Sequence, residues 1–172
     1  MDDKKKILLN ERGSESDNAL DKPFNFIKEG GKMALVCESD FVVRENLGTV
    51  LEKMGYYVTK SAAPPDALKS MRSHLYDLIV VGETFDEEGS DESGVLDYIR
   101  HLPMSVRRNI FAVLLSATVR TMDDMAAFGE SVNLVLNLKN IDDAGVIIER
   151  GIADNEAFYS AFKDVRKRAG RV

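Results

Sequence analysis

Met33-Ala34-Leu35-Val36-Cys37-Glu38-Ser39-Asp40 sets an unbroken apolar run directly before three polar residues, and its reading decides the fold. A short continuous apolar run suits a strand buried on both faces. Ser39 or Asp40 can then cap a helix, because a side-chain oxygen satisfies a backbone N–H left open at a helix start. Val43, Leu47, Val50, Leu51 and Met54 follow on one face of that helix. Gly55 stands where a left-handed C-terminal cap belongs. Tyr56-Tyr57-Val58-Thr59 is rich in strand formers.

The alternation recurs down the chain. Ala63-Pro64-Pro65-Asp66 opens a second helix with Ala67, Leu68 and Met71 inward, and proline is tolerated in a first turn. Leu78-Ile79-Val80-Val81 and the run Ile110 to Leu115 read as two more buried strands. Gly94 to His101 reads as a helix that Pro103 ends. Thr121 to Phe128 reads as a helix and Val132 to Leu136 as a strand. Two further helices are predicted, from about Asp142 to Arg150 and from about Asp154 to Arg168. Helices rather than tight turns separate the strands. The sequence therefore implies an α/β fold, a doubly wound parallel sheet covered on both faces. The crevice of such a sheet lies at the C-terminal strand ends. That gathers Glu38–Asp40, Gly82–Thr84, Ser116–Thr118 and Asn137–Lys139.

Composition narrows the function classes. The 172 residues suit one domain, with 44% hydrophobic and 30% charged residues, which excludes global disorder and collagen-like repeats. Lys plus Arg is 23 against 29 for Asp plus Glu, a net charge of −6 that argues against nucleic-acid and membrane-surface binding. The single cysteine, Cys37, excludes an internal disulfide and a paired-cysteine zinc site. Met1 to Lys6 leads only into Ile7-Leu8-Leu9, so no secretory segment is expected and the cytoplasm is the expected compartment. Residues 1–31 are polar and read as a tail or linker, with Phe24-Asn25-Phe26-Ile27 able to add a strand. Residues 32–172 form the expected domain, with a core over 32–150 and a helical extension over 151–172.

The order and spacing of several stretches resemble the receiver domain of bacterial two-component response regulators. Residues 34–44 resemble its first strand, acidic loop and first helix start, and Leu51-Glu52-Lys53-Met54-Gly55-Tyr56-Tyr57-Val58 its following turn. Tyr76 to Val81 resembles the strand that ends at the phosphoacceptor, and Gly94 to Arg100 the third helix. The resemblance covers roughly residues 32–150 and implies a five-stranded flavodoxin-like sheet of order 2-1-3-4-5. It also implies a site: an aspartate nucleophile, acids holding Mg²⁺, a switch hydroxyl and a lysine facing the phosphoryl group.

Against that pattern the chain departs at most positions. Glu38 matches the first acid with a longer stem, Ser39 stands at the second, and Asp40 lies one residue further on. Gly82 stands at the acceptor position, where no acyl phosphate can form without a side chain. Ser116 matches the switch hydroxyl, but Asn137 replaces the lysine, Leu138 the following proline and Leu134 the switch aromatic. The expectation is a pseudo-receiver: not an enzyme, with no metal or cofactor, signalling by protein contact without phosphorylation. The resemblance places that contact on the fourth-helix, fifth-strand and fifth-helix surface, here Met122, Met125, Phe128, Leu134 and Leu136, facing a protein partner or a second copy. One alternative is an unorthodox phospho-accepting receiver using Glu83 or Asp86. A permanently charged Glu83 would imitate a phosphoryl group if the strand end is bulged. Another alternative is a ligand-binding or enzymatic flavodoxin-like domain, against which stands the lack of glycine-rich and G-x-S-x-G motifs.

Other residues have plainer readings. The loop acids Asp86, Glu87, Glu88, Asp91 and Glu92 do not match calcium-loop spacing. Cys37 reads as a small buried hydrophobe. His74 and His101 lie at predicted helix ends, where a cation complements the dipole, and so does the basic tail Lys163, Arg166, Lys167, Arg168 and Arg171, whose alternative is nucleic-acid contact. Phe158, Ala161, Phe162 and Val165 form an apolar stripe, either packed on the domain or open to a second helix.

Overall fold

The computed structural model describes residues 31–88 and 94–170. The N-terminal tail, its possible strand at 24–27, the loop acids Asp91 and Glu92, and Arg171 lie outside the described residues, as does the side chain of Glu88.

Five strands carry the domain: β1 (Lys32–Cys37), β2 (Tyr56–Ser61), β3 (Leu78–Gly82), β4 (Phe111–Ser116) and β5 (Leu134–Asn137). They pair in parallel in the order β2-β1-β3-β4-β5. The helices are α1 (Phe41–Lys53), α2 (Pro64–Ser73), α3 (Val95–His101), a one-turn α4 (Met104–Arg107), α5 (Asp124–Glu130) and α6 (Ala144–Arg168). The α/β class and the expected strand order are those of the structure.

Side-chain alternation divides the core. Ala34, Val36, Leu78, Val80, Val113 and Leu115 face Leu47 and Leu51 of α1 and Ala144 and Ile148 of α6. Leu35, Cys37, Ile79 and Val81 face α2 and α3 on the other side. Ala112, Leu114 and Val135 meet Ala127 of α5 on that second side. The central strands are buried throughout, which is why they read as unbroken apolar runs.

Four expectations are corrected. Thr121 does not begin a helix: Met122 is left-handed at φ 61°, and Asp123 accepts from Ala126 N at 3.0 Å to cap α5 one turn later. The two predicted C-terminal helices are one, because no proline intervenes and Gly151 lets α6 lie against the Phe111 ring and Leu134. The one-turn α4 after Pro103 was not expected. Leu134 and Leu136 are buried under α6 and present no interaction surface. β5 is an edge strand in hydrogen bonding, yet helices cover both its faces.

Candidate functional site

The parallel register brings four strand ends together. Ser116 pairs with Asn137, Gly82 with Leu115, and Cys37 with Val81. The residues following each strand therefore lie at one edge of the sheet, where Glu38, Ser39, Asp40, Glu83, Thr84, Ala117 and Leu138 line a shared crevice and Ser116 and Asn137 do not.

At the end of β1, Glu38 is buried and folds back on its own loop. Its Oε1 accepts from Asp40 N at 3.0 Å. Arg44, one turn into α1, donates to the carbonyls of Glu38 and Ser39 at 2.6 and 3.0 Å and fixes that loop. Asp40 Oδ1 accepts from Val43 N at 3.0 Å and caps α1. Gly82 ends β3 on the same sheet face as Glu38. A Cβ at position 82 would collide with the Glu38 Oε2 atom. The longer acid thus fills the room an acceptor side chain would need.

Glu83 follows Gly82 and points to the opposite face, as alternation requires. Ser116 projects to that face too, in line with Ala112 and Leu114. The two meet without a bulge, since Glu83 N still donates to Leu115 O at 2.8 Å. The Ser116 hydroxyl, wholly buried, donates to Glu83 Oε2 at 2.7 Å. Ala117 N donates to the same oxygen at 3.3 Å. Ser116 Oγ in turn accepts from Thr118 N at 3.1 Å and Val119 N at 2.9 Å. With Thr118 Oγ1 donating to Glu83 Oε1 at 3.4 Å, two hydroxyls and one amide tie the Glu83 carboxylate to the turn after β4.

Asn137 holds the same turn from the other side. Its Nδ2 donates to Val119 O at 2.7 Å and its Oδ1 accepts from Lys139 N at 2.9 Å. Thr121 Oγ1 accepts from Asn137 N at 2.9 Å and donates to Asn140 Oδ1 at 2.7 Å. Where the resemblance implies a cation, this chain has a neutral clip. Sequence reading missed Arg44 and Thr121 and placed Thr118 at the crevice without a role. Their roles rest on backbone carbonyls and amides that carry no residue signature.

The remaining candidates lie elsewhere. Asp86 accepts from Val95 N at 2.8 Å and Leu96 N at 3.1 Å, so its carboxylate is engaged at the start of α3. Burial, with Asp86 and Glu38 nearby, pushes the Cys37 thiol well up from its ordinary value. Met125 and Phe128 are exposed on α5 and Met122 is half-buried.

Between the strand ends lies a cavity of about 220 Å³ lined by Glu38, Ser39, Asp40, Glu83, Ala117 and Leu138. The Mg²⁺ that the fold implies does not fit these residues. Magnesium demands several oxygens at short, near-octahedral range. Here Asp40 is spent on the helix cap, Ser39 supplies no charge, Gly82 supplies no side-chain oxygen and Glu83 turns to Ser116. No group of three His, Cys, Asp or Glu side chains able to hold a metal occurs among the described residues. Among those residues, too, no helix is long and apolar enough to cross a membrane.

No family model matches the chain, and no curated protein matches it. Solved structures do. A response regulator receiver domain protein from Clostridium thermocellum is 14% identical, with a TM-score of 0.53 over 74% of this chain and 98% of that one. The receiver domain of Francisella response regulator 1452 is 17% identical, with a TM-score of 0.53 over 70% and 95%. A CheY-like receiver domain protein from Methanospirillum hungatei JF-1 is 14% identical, with a TM-score of 0.55 over 73% and 97%. The chain has the receiver-domain fold.

Proposed function

We propose that this chain is a signalling module that uses the receiver fold to contact proteins without being phosphorylated. The observation that carries the reading is the Glu83 carboxylate seated on Ser116 and Ala117 beside a residue 82 that has no side chain. In a working receiver the switch hydroxyl meets an oxygen of the acyl phosphate. Here a side-chain carboxylate accepts the equivalent bond with the same sign of charge. The turn after β4 is then held in one arrangement with no chemical signal, and control passes to the supply of a partner. Met125 and Phe128 offer that partner an apolar patch on α5, bordered by the half-buried Met122. Leu134 and Leu136, being core, take no part.

Purified protein incubated with acetyl phosphate, or with beryllofluoride and Mg²⁺, should gain no phosphoryl mass and show no spectral change. Stoichiometric acyl phosphate would overturn the reading. Loss of that label in Glu83→Gln would then identify Glu83 as an acceptor, the second reading that its contact with Ser116 favours.

A further inference from the structure

We propose that two copies of this chain associate through the second half of α6, side by side and antiparallel. The 25 residues of α6 span about 37 Å, longer than the strands they cover. The sheet ends near Gly151, which lies against Phe111 and Leu134 at the starts of their strands. Asn133 reaches Asn155 at 3.3 Å, and the Arg108 guanidinium lies 5.1 Å from the Phe162 ring centroid. Beyond Asn155 one side of the helix still borders the strand starts, where Glu156 and Lys163 line a cavity with Lys32, Tyr56 and Phe111, and the other side is open. There Phe158 is 78% exposed, Phe162 45% and Val165 64%.

At 100° per residue, Phe158, Ala161, Phe162 and Val165 form one stripe about 100° wide. Their spacing of i, i+3, i+4 and i+7 reads the same in both directions. A two-fold axis between residues 161 and 162 therefore sets Phe158 against Val165 of the second copy, Ala161 beside the second copy's Ala161 on one margin and Phe162 beside its Phe162 on the other. The small Ala161 lets the helices come close at the axis. Charge decides the direction. Asp154 and Glu156 precede the stripe, whereas Lys163, Arg166, Lys167 and Arg168 lie in its last turns. Parallel pairing would stack the basic ends on each other. Antiparallel pairing brings Asp154 to Arg168 of the second copy, twice by symmetry, because both lie along one margin of the stripe. Asp154 now faces Arg150 at 3.9 Å in a solvent-exposed pair that can be exchanged. Four side chains per copy make a small contact, so the association is weak and depends on concentration.

Sedimentation of the full chain at rising concentration should show a monomer–dimer equilibrium. Phe158→Glu with Val165→Glu should leave the circular dichroism unchanged and weaken association more than about tenfold, the loss of two buried side chains per copy. Asp154→Arg and Arg168→Asp should each weaken it, and the two together should restore it. Cys37 is buried and will not interfere with added thiols. Under mild oxidation Ala161→Cys should cross-link with itself and Ala169→Cys should not. A monomer at every concentration would overturn the proposal. So would cross-linking at 169 equal to that at 161, which is the parallel arrangement. Protection of the stripe in a monomer by residues 24–27 of the same chain would overturn it as well.

Discussion

Removing the Glu83 carboxylate and the Ser116 hydroxyl separately and together tests the link between them. Ser116 Oγ donates to Glu83 Oε2 at 2.7 Å, in the range of a charge-assisted bond. Such bonds contribute about 1.5–3 kcal/mol where water is excluded. Glu83 is exposed, so water competes and about 1 kcal/mol remains. Glu83→Ala should therefore cost about 1 kcal/mol. Ser116→Ala should cost more, about 2 kcal/mol, because the amides of Thr118 and Val119 also lose their part-buried acceptor. The double variant should cost little more than Ser116→Ala alone, giving a coupling of about 1 kcal/mol. Urea unfolding with an unchanged denaturant slope measures all three. Amide exchange at Ala117 to Val119 should quicken in both single variants. A coupling below about 0.3 kcal/mol would refute the idea that Glu83 holds this turn.

Gly82→Asp should be destabilised by about 1–3 kcal/mol, because it presses a second carboxylate onto Glu38 and breaks that residue's bond to Asp40 N. Glu38→Ala with Gly82→Asp should cost at least about 1 kcal/mol less than the sum of the singles, and strict additivity would contradict the proposed crowding. Leu134→Ala should lower stability by about 2–5 kcal/mol as a core truncation, while Phe128→Ala should change it by less than about 0.5 kcal/mol. Equal effects in chemical denaturation would mean that the two residues have been placed wrongly. The Cys37 thiol should react with a thiol reagent only after unfolding. Its folded pKa is raised, so the folded chain keeps a proton that the unfolded chain releases, and stability should fall as pH rises past about 8.5. Cys37→Ala should flatten that slope, and an unchanged slope would assign it to other groups.

The sheet was legible because its strands are buried on both faces. Leu78 to Val81 and Phe111 to Leu115 have no polar residue to mask their apolar runs. The gathering of Glu38, Gly82, Ser116 and Asn137 was legible because parallel strands all end on the same edge. The start of α5 was not, since Met122 takes a left-handed conformation that a methionine does not announce. The burial of Leu134 and Leu136 was obscured by analogy with a surface. Alternation along β5 puts both under α6, and the length of that helix decides how well they are covered. Glu83 was expected on the face away from Gly82, and it is there. What the reading lacked was that Ser116 shares that face, a matter of register between strands 33 residues apart in the chain. The join of the last two helices failed for a simpler reason: Gly151 resembles a stop, yet a single glycine costs a helix only about 1 kcal/mol, which packing on Phe111 offsets.

The most direct test is intact-mass analysis after incubation with excess acetyl phosphate and Mg²⁺, under conditions that preserve acyl phosphates. The account predicts an unchanged mass for the native chain, since residue 82 offers no carboxylate and Glu83 is already bonded to Ser116. A phosphoryl adduct on an acidic side chain of the crevice would contradict it.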